Sequence, residues 1–286
     1  MKRILFQLDT DPIPSTFDRV VAVDAGADEV FAIGGVTAEN VVSLVHGAIF
    51  TRGTDDLKNT AIFVGGSDVQ AAEKVFQAIQ QTFFGPMRVS VMLDPSGSAT
   101  TAAAAVRFAS KHVSLKDADA LILGGTGPVG QRTGLILASQ GAKVRIASRS
   151  LQRAEATAAS IRSRVSGASV IPCDCSDEGL AAAVDSIEIL IAAGAAGVSF
   201  LTADEWQSIP TLKVAADLNA VPPVGLAGID PNHQAVDHNG IASYGALGVG
   251  GLKMKLHKAA IDKLFSANDL VLDTESIYAL SGDLAG

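Results

Sequence analysis

Seven residues constrain this chain more than any others: Gly124-Gly125-Thr126-Gly127-Pro128-Val129-Gly130, placed directly behind the apolar run Ala118–Leu123. Gly125, Gly127 and Gly130 fill the three positions of G-x-G-x-x-G. The first glycine permits a tight strand-to-helix turn, the second lets backbone approach a pyrophosphate, and the third lets helix and strand pack closely. A strand before it, a helix after it and a further strand at Lys143–Ala147 give the motif the context that makes it a dinucleotide site. Gly125, Thr126, Gly127, Pro128, Val129 and Gly130 are therefore cofactor-binding candidates.

At the end of the second strand an NAD enzyme places a carboxylate on the ribose 2′-hydroxyl. This chain has Ser148-Arg149-Ser150, with Arg153 one turn on. An arginine fork grips a 2′-phosphate that a carboxylate would repel, so NADP is expected, with NAD the weaker alternative.

Around this unit the chain alternates short β-type runs with longer helical ones. Strands are expected at Arg3–Leu8, Glu29–Ile33, Thr60–Val64 and Arg88–Leu93, then at Ala168–Ile171, Ile187–Ala192 and Leu212–Ala216. Helices are expected from Ser15, after a Thr37 cap, over Val69–Phe83 and Gly97–His112, from Gly127, Leu151 and Asp177, and over Lys253–Phe265 and Thr274–Leu280. The fold class is α/β: an N-terminal parallel α/β domain over 1–113, joined by C-terminal helices in 255–286, plus a Rossmann domain over 114–254.

Charge and composition narrow the partners. A net charge of −8 argues against nucleic acid, which demands clustered Lys and Arg. Gly, Asp, Ser or Thr interrupts every apolar run before membrane-spanning length. The run Ile4–Phe6 stops at Gln7 with no cleavage site behind it, which reads as a cytoplasmic protein rather than a secreted one. Cys173 and Cys175 form a C-x-C with no second ligand pair, so no metal is expected.

No G-x-S-x-G elbow and no H-E-x-x-H stands in the sequence, and its five histidines are scattered. Reduction of a carbonyl needs a proton donor near the oxygen. Hydride transfer between a nicotinamide and a methylene bridge on two nitrogens needs none, because the product is a delocalised amidinium cation, and positioning alone supplies the rate.

The stretches Gln7–Asp18 (QLDTDPIPSTFD), Thr60–Asp68 (TAIFVGGSD), Phe83–Arg88 (FFGPMR), Asp94–Ala104 (DPSGSATTAAA), Asp217–Asp230 (DLNAVPPVGLAGID) and Gly245–His257 (GALGVGGLKMKLH), with Gly124–Gly130, resemble the bacterial methylene-tetrahydromethanopterin dehydrogenases of one-carbon metabolism. The resemblance spans nearly the whole chain. It implies oxidation of the methylene-pterin to the methenyl form with NADP+ as acceptor, in a cleft between the two halves, by a homo-oligomer. The arginine-bearing Ser148–Ser150 segment is similar to the NADP-preferring branch, and some similar proteins also accept methylene-tetrahydrofolate. By motif, Asp18, Ser98, Thr101 and the pair Lys253 and Lys255 border the pterin, and Asn219 with Pro222 shapes the nicotinamide side.

No general base is required on this reading; Asp18, Lys253 and Lys255 position the substrate. The lysines follow Gly248-Val249-Gly250-Gly251, which reads as a turn, and His257 reads as a core or capping histidine. Shikimate-type dehydrogenases share the order of halves but need a Lys–Asp relay, for which Lys58 and Asp68 lack a helix-borne spacing. A non-catalytic NADPH sensor is the alternative that fold alone does not exclude.

Overall fold

A computed structural model describes residues 1–284 of the chain. The last two positions of the C-terminal segment 255–286 lie outside the described residues. In chain order the elements are β1 (Ile4–Asp9), α1 (Thr16–Asp24), β2 (Glu29–Ile33), α2 (Val41–Ile49), β3 (Thr60–Gly65), α3 (Val69–Thr82), β4 (Ser90–Leu93) and α4 (Ser98–Ala109). There follow β5 (Asp119–Leu123), α5 (Pro128–Ser139), β6 (Lys143–Ser148), α6 (Leu151–Arg164), β7 (Val170–Asp174), α7 (Asp177–Ala183), β8 (Ile189–Ala192), α8 (Ala203–Gln207) and β9 (Val214–Asp217). The chain closes with β10 (Gln234–His238), β11 (Ile241–Tyr244), α9 (Ala246–Leu264), β12 (Val271–Leu272) and α10 (Thr274–Leu280).

Two compact units result: Met1–Thr100 with Met254–Leu280, and Thr101–Lys253 with the residues from Ser281 onward. The divisions fall inside α4 and α9.

The first unit holds a five-stranded parallel sheet in the order β12-β4-β3-β1-β2. Side chains alternate between its faces. Leu8, Ile62 and Val64 enter an apolar core with Val41, Val45 and Ile49 of α2 and Val75 and Ile79 of α3. Gln7, Asp9 and Phe63 turn to the other face, where Gln7 Nε2 donates to the Ser15 carbonyl 2.9 Å away at the start of α1. Local chemistry sets the helix starts: Ser15 Oγ accepts from the Asp18 N–H, and the Asp68 carboxylate accepts from Gln70 and Ala71 N–H.

The second unit carries a seven-stranded sheet in the order β10-β11-β9-β8-β5-β6-β7, parallel except for the β10–β11 pairing. Trp206, with no exposed surface, anchors its core through Nε1 donating to the Ala227 carbonyl at 2.9 Å.

Several expectations need revision. The stretch Gly248–Gly251 is not a turn: it lies within α9, which begins at Ala246 rather than Lys253. A Cβ on Gly248 would meet the His233 carbonyl oxygen at 2.0 Å, so the glycine serves close packing against the 230–233 backbone. Thr37 does not cap α2. Its hydroxyl accepts from Glu39 and Asn40 N–H in a turn that leads into the helix through Val41 N–H donating to the Thr37 carbonyl at 3.1 Å, and the helix itself begins at Val41 with Asn40 as its cap. The Gly97–His112 helix stops at Ala109, and the strand expected from Arg88 starts at Ser90, behind a tight turn in which Phe84 and Met87 pair.

Candidate active site

In open α/β sheets ligands settle at the carboxyl ends of strands, at the crevice where strand order reverses. In the second unit that crevice lies between β5 and β8, because β6 follows β5 on one side and β8 returns on the other. A cavity of about 640 Å³ opens there. Gly124, Thr126, Gly127 and Pro128 form one wall, Ser148, Arg149, Ser150 and Arg153 a second, and Ala193, Gly194, Val198 and Phe200 a third. The turn is held by Gly125 N–H donating to the Ala147 carbonyl at 3.0 Å and Gly127 N–H to the Gly124 carbonyl at 3.1 Å. A Cβ on Gly130 would stand 2.7 Å from both the Gly124 carbonyl oxygen and Gly125 Cα, so only glycine lets α5 approach this closely.

Gly125, Val129 and Gly130 are behind the cavity rather than on its surface, with Gly125 and Gly130 buried. Thr126 Oγ1 and Ser148 Oγ lie 3.3 Å apart across the floor. Ser150 caps α6 by accepting from the Arg153 N–H. Arg149 and Arg153 are exposed at the rim, and among the described residues neither guanidinium pairs with a carboxylate. A wall of glycine backbone at a helix N-terminus, with two uncommitted guanidinium groups beside it, fits a dinucleotide phosphate.

Asn219 is 8% exposed and lies outside this cavity. Its amide nitrogen donates to the Val221 and Pro223 carbonyls and its oxygen accepts from Val221 N–H, so the side chain builds the loop after β9, which contains the cis Pro222–Pro223 bond. The same loop is closed by Asp217, which accepts from Asn219 and Leu226 N–H. Burial pushes the Asp217 carboxyl up from its ordinary value, against the pull of the backbone N–H donors.

The first unit has its own reversal of strand order between β1 and β3, whose carboxyl ends are Asp9 and Gly65. Four polar side chains gather there. Asp9, 1% exposed, accepts from Asp11 N–H at 2.9 Å and Ser15 N–H at 3.0 Å. Asp18, 6% exposed, sits in the first turn of α1, where the helix dipole favours its charge. His257 of α9 is fully buried; its Nε2 stands 4.0 Å from Asp18 Oδ1, and its ring stacks on Phe63 at 5.6 Å between centroids. Gln7 Oε1, on the same sheet face, is buried without a hydrogen-bond partner among the described residues. Buried polar groups concentrated at a switch point, with Gln7 Oε1 unsatisfied, make this end of the sheet a candidate ligand site.

Of the residues expected to border the substrate, Asp18 belongs to this cluster. Ser98 is fully buried and donates to the Pro95 carbonyl at 2.7 Å, which makes it part of the loop's internal bracing. Thr101 is half-buried in the first turn of α4. Lys253 is half-buried and Lys255 exposed. Two residues apart on one helix they project from different faces, so they do not act as a pair. Lys253 lies four residues before His257 on α9. Nothing in the sequence pattern signals the contact of His257 with α1 and β3. The Ala193–Phe200 wall leaves no sequence signal, because its apolar residues carry no chemical signature.

Among the described residues no cluster of His, Cys, Asp and Glu is arranged to hold a metal ion, and no helix is long and apolar enough to cross a membrane.

Residues 16–96 match the family model described as methylene-tetrahydromethanopterin dehydrogenase, N-terminal. The chain is 45% identical to the bifunctional protein MdtA of Methylorubrum extorquens, over 99% of each chain. It is 35% identical, over 95% of each, to the NAD(P)-dependent methylenetetrahydromethanopterin dehydrogenase of the same organism. The chain belongs to the methylenetetrahydromethanopterin dehydrogenase family. Solved structures of more distant members of the architecture include the shikimate 5-dehydrogenase of Listeria monocytogenes, at TM-score 0.53 and 16% identity over 98% of this chain and 96% of that one. The 5-ketofructose reductase of a Gluconobacter strain gives TM-score 0.51 and 15% identity over 99% of both. At such identities the likeness speaks for the two-domain α/β fold alone. The matched span 16–96 of this chain includes Asp18, the Gly65–Gly66 segment and Ser96.

Proposed function

We propose that the protein oxidises methylene-tetrahydromethanopterin to methenyl-tetrahydromethanopterin, with NADP+ taking the hydride. The observation that carries this reading is the pairing of an arginine-rimmed glycine cavity in the second unit with a buried carboxylate–imidazole cluster at the switch point of the first, in a chain of this family. The nicotinamide ring supplies the hydride acceptor at C4.

The chain's own residues do the rest by binding and orientation. Arg149, Arg153, Ser148 and Ser150 are suited to a 2′-phosphate, which supports NADP over NAD. Gly125 and Gly130 shape the turn whose backbone N–H groups meet the pyrophosphate, while Thr126, Gly127 and Pro128 face it. The Asp18 carboxylate, beside His257, provides negative charge for a pterin that becomes an amidinium cation on oxidation. Lys253 offers a donor to a ring carbonyl one turn from His257. No proton leaves the reacting carbon, so no general base is assigned. Residues 1–113 with 255–286 form the pterin-binding part and 114–254 the NADP-binding part, in a cytoplasmic homo-oligomer.

Initial rates of reduced cofactor formation test the reading, with methylene-tetrahydromethanopterin and methylene-tetrahydrofolate each offered with NADP+ and NAD+. Turnover fastest with the methanopterin and NADP+ is expected. Comparable rates with the folate make the protein dual in substrate, and binding of NADPH without turnover of any pair makes it a sensor.

A further inference from the structure

We propose that Ser96 is a positioning residue of the first unit's site: its hydroxyl ties the loop after β4 to the loop after β3 and so fixes the Gly65–Gly66 backbone that borders the Asp9 and Asp18 carboxylates. The role concerns the same pterin site as the proposed function and rests on that reading.

The loop Asp94–Gly97 is already braced without Ser96. Asp94, fully buried, accepts from Ala99 N–H at 2.7 Å and from Thr100 Oγ1 at 2.7 Å, which secures the start of α4. Ser98 Oγ closes the turn onto the Pro95 carbonyl. Yet Ser96 adopts φ 54° and ψ 22°, a left-handed conformation that strains any residue with a Cβ. Ser96 is exposed, so packing does not demand a side chain there. Glycine would take the same backbone angles without strain. What serine adds is one bond: Oγ donates to the Gly66 carbonyl at 3.2 Å.

That carbonyl belongs to a segment that borders the acidic cluster. At Gly65, the direction a Cβ would take points to Asp9 Oδ2 at 3.3 Å and Asp18 Oδ2 at 3.8 Å. Beyond Gly66, Ser67 donates through N–H and Oγ to Asp11, at 3.0 and 2.7 Å. The loops after β1, β3 and β4 thus form one hydrogen-bonded rim along the carboxyl ends of the strands, with Ser96 as its β4 terminus. Strain retained at an exposed position beside a ligand site is the pattern expected of a residue kept for geometry rather than for stability.

Thermal melting and steady-state kinetics of Ser96→Gly, Ser96→Ala and Ser96→Asn against the wild type test this. Ser96→Gly is expected to melt higher than the wild type. Its KM for methylene-tetrahydromethanopterin is expected to rise about three- to ten-fold, the effect of one lost hydrogen bond, with KM for NADP+ unchanged. Ser96→Ala should show the same KM rise. Ser96→Asn should recover most of the loss, because asparagine tolerates the left-handed region and its amide donates. Wild-type KM values in both Ser96→Gly and Ser96→Ala overturn the proposal alone; an equal rise in both substrates' KM values overturns it too, as a general loosening. If the wild type turns over no pterin, the functional reading fails first and the positioning role falls with it.

Discussion

His257 Nε2 stands 4.0 Å from Asp18 Oδ1, a contact between the first helix of the chain and its longest one, 239 positions apart in sequence by the difference of those two numbers. Both side chains are almost wholly buried, and Phe63 stacks under the imidazole with 22° between ring planes. A carboxylate held in this way is oriented by its surroundings before any ligand arrives.

Asp18→Asn keeps the shape and removes the charge. The expected result is a fall of about ten- to a hundred-fold in kcat/KM for the pterin, about 1.4–2.7 kcal/mol of transition-state stabilisation. Affinity for NADPH, followed by its fluorescence, should stay at the wild-type value. A parallel loss of NADPH binding would mean that the fold, not the site, was damaged. Removing His257 as well should cost less than the sum of the single changes, since the two side chains are in contact.

Arg149→Ala removes one arm from the rim of the nucleotide cavity. Loss of charge-assisted hydrogen bonds, about 1.5–3 kcal/mol, predicts a KM for NADP+ raised about ten- to a hundred-fold, with little change for NAD+. Equal effects on the two cofactors would remove Arg149 from 2′-phosphate recognition.

Two glycines of α9 should respond in opposite ways to alanine. At Gly248 a Cβ meets the His233 carbonyl oxygen at 2.0 Å, whereas at Gly250 nothing lies within 4 Å. Gly248→Ala is expected to destabilise by about 1–3 kcal/mol, as overpacking does. Gly250→Ala should stabilise by about 0.5–1 kcal/mol through helix propensity. Denaturant melts of the two variants decide it, and similar shifts in both would contradict the packing described.

Cys175 lines the nucleotide cavity, and burial pushes its thiol up from 9.0 to about 11, with Asp174 adding to the rise. The folded chain therefore keeps this proton where the unfolded chain has lost it. Stability contributed by the protonated thiol is fully present below pH 9 and declines as pH rises toward 11. In a Cys173→Ser background, iodoacetamide labelling of Cys175 at pH 8 should run well below the rate of a free thiol and climb steeply above pH 10. NADP+ should slow it further. Rapid labelling at pH 8 would show that the thiol is not held in this environment.

Periodicity and local chemistry made most of the elements legible. The strand Glu29–Ile33 and the helix Thr274–Leu280 are where the sequence places them, and the G-x-G-x-x-G turn opens α5 as its glycines require. Two kinds of feature were not legible. The hairpin β10–β11 has an exposed outer strand with no apolar alternation, and β12 is two residues long, so neither leaves a pattern. Gly248–Gly251 carries a composition that locally favours a turn, yet it lies within α9, where Gly248 packs closely against the His233 backbone.

The same division holds for the site. The sequence by itself determined the phosphate loop, the arginines at the end of β6 and the acidic first turn of α1, because each depends on neighbours within a few residues. Only the tertiary structure decided that Ser98 turns inward while Ser96 stays exposed, that Lys253 and Lys255 project from different faces of α9, and that His257 meets Asp18. Those outcomes depend on side-chain direction and on contacts between segments far apart in the chain, and hydrophobic burial fixes both only when the whole sheet and its helices have packed.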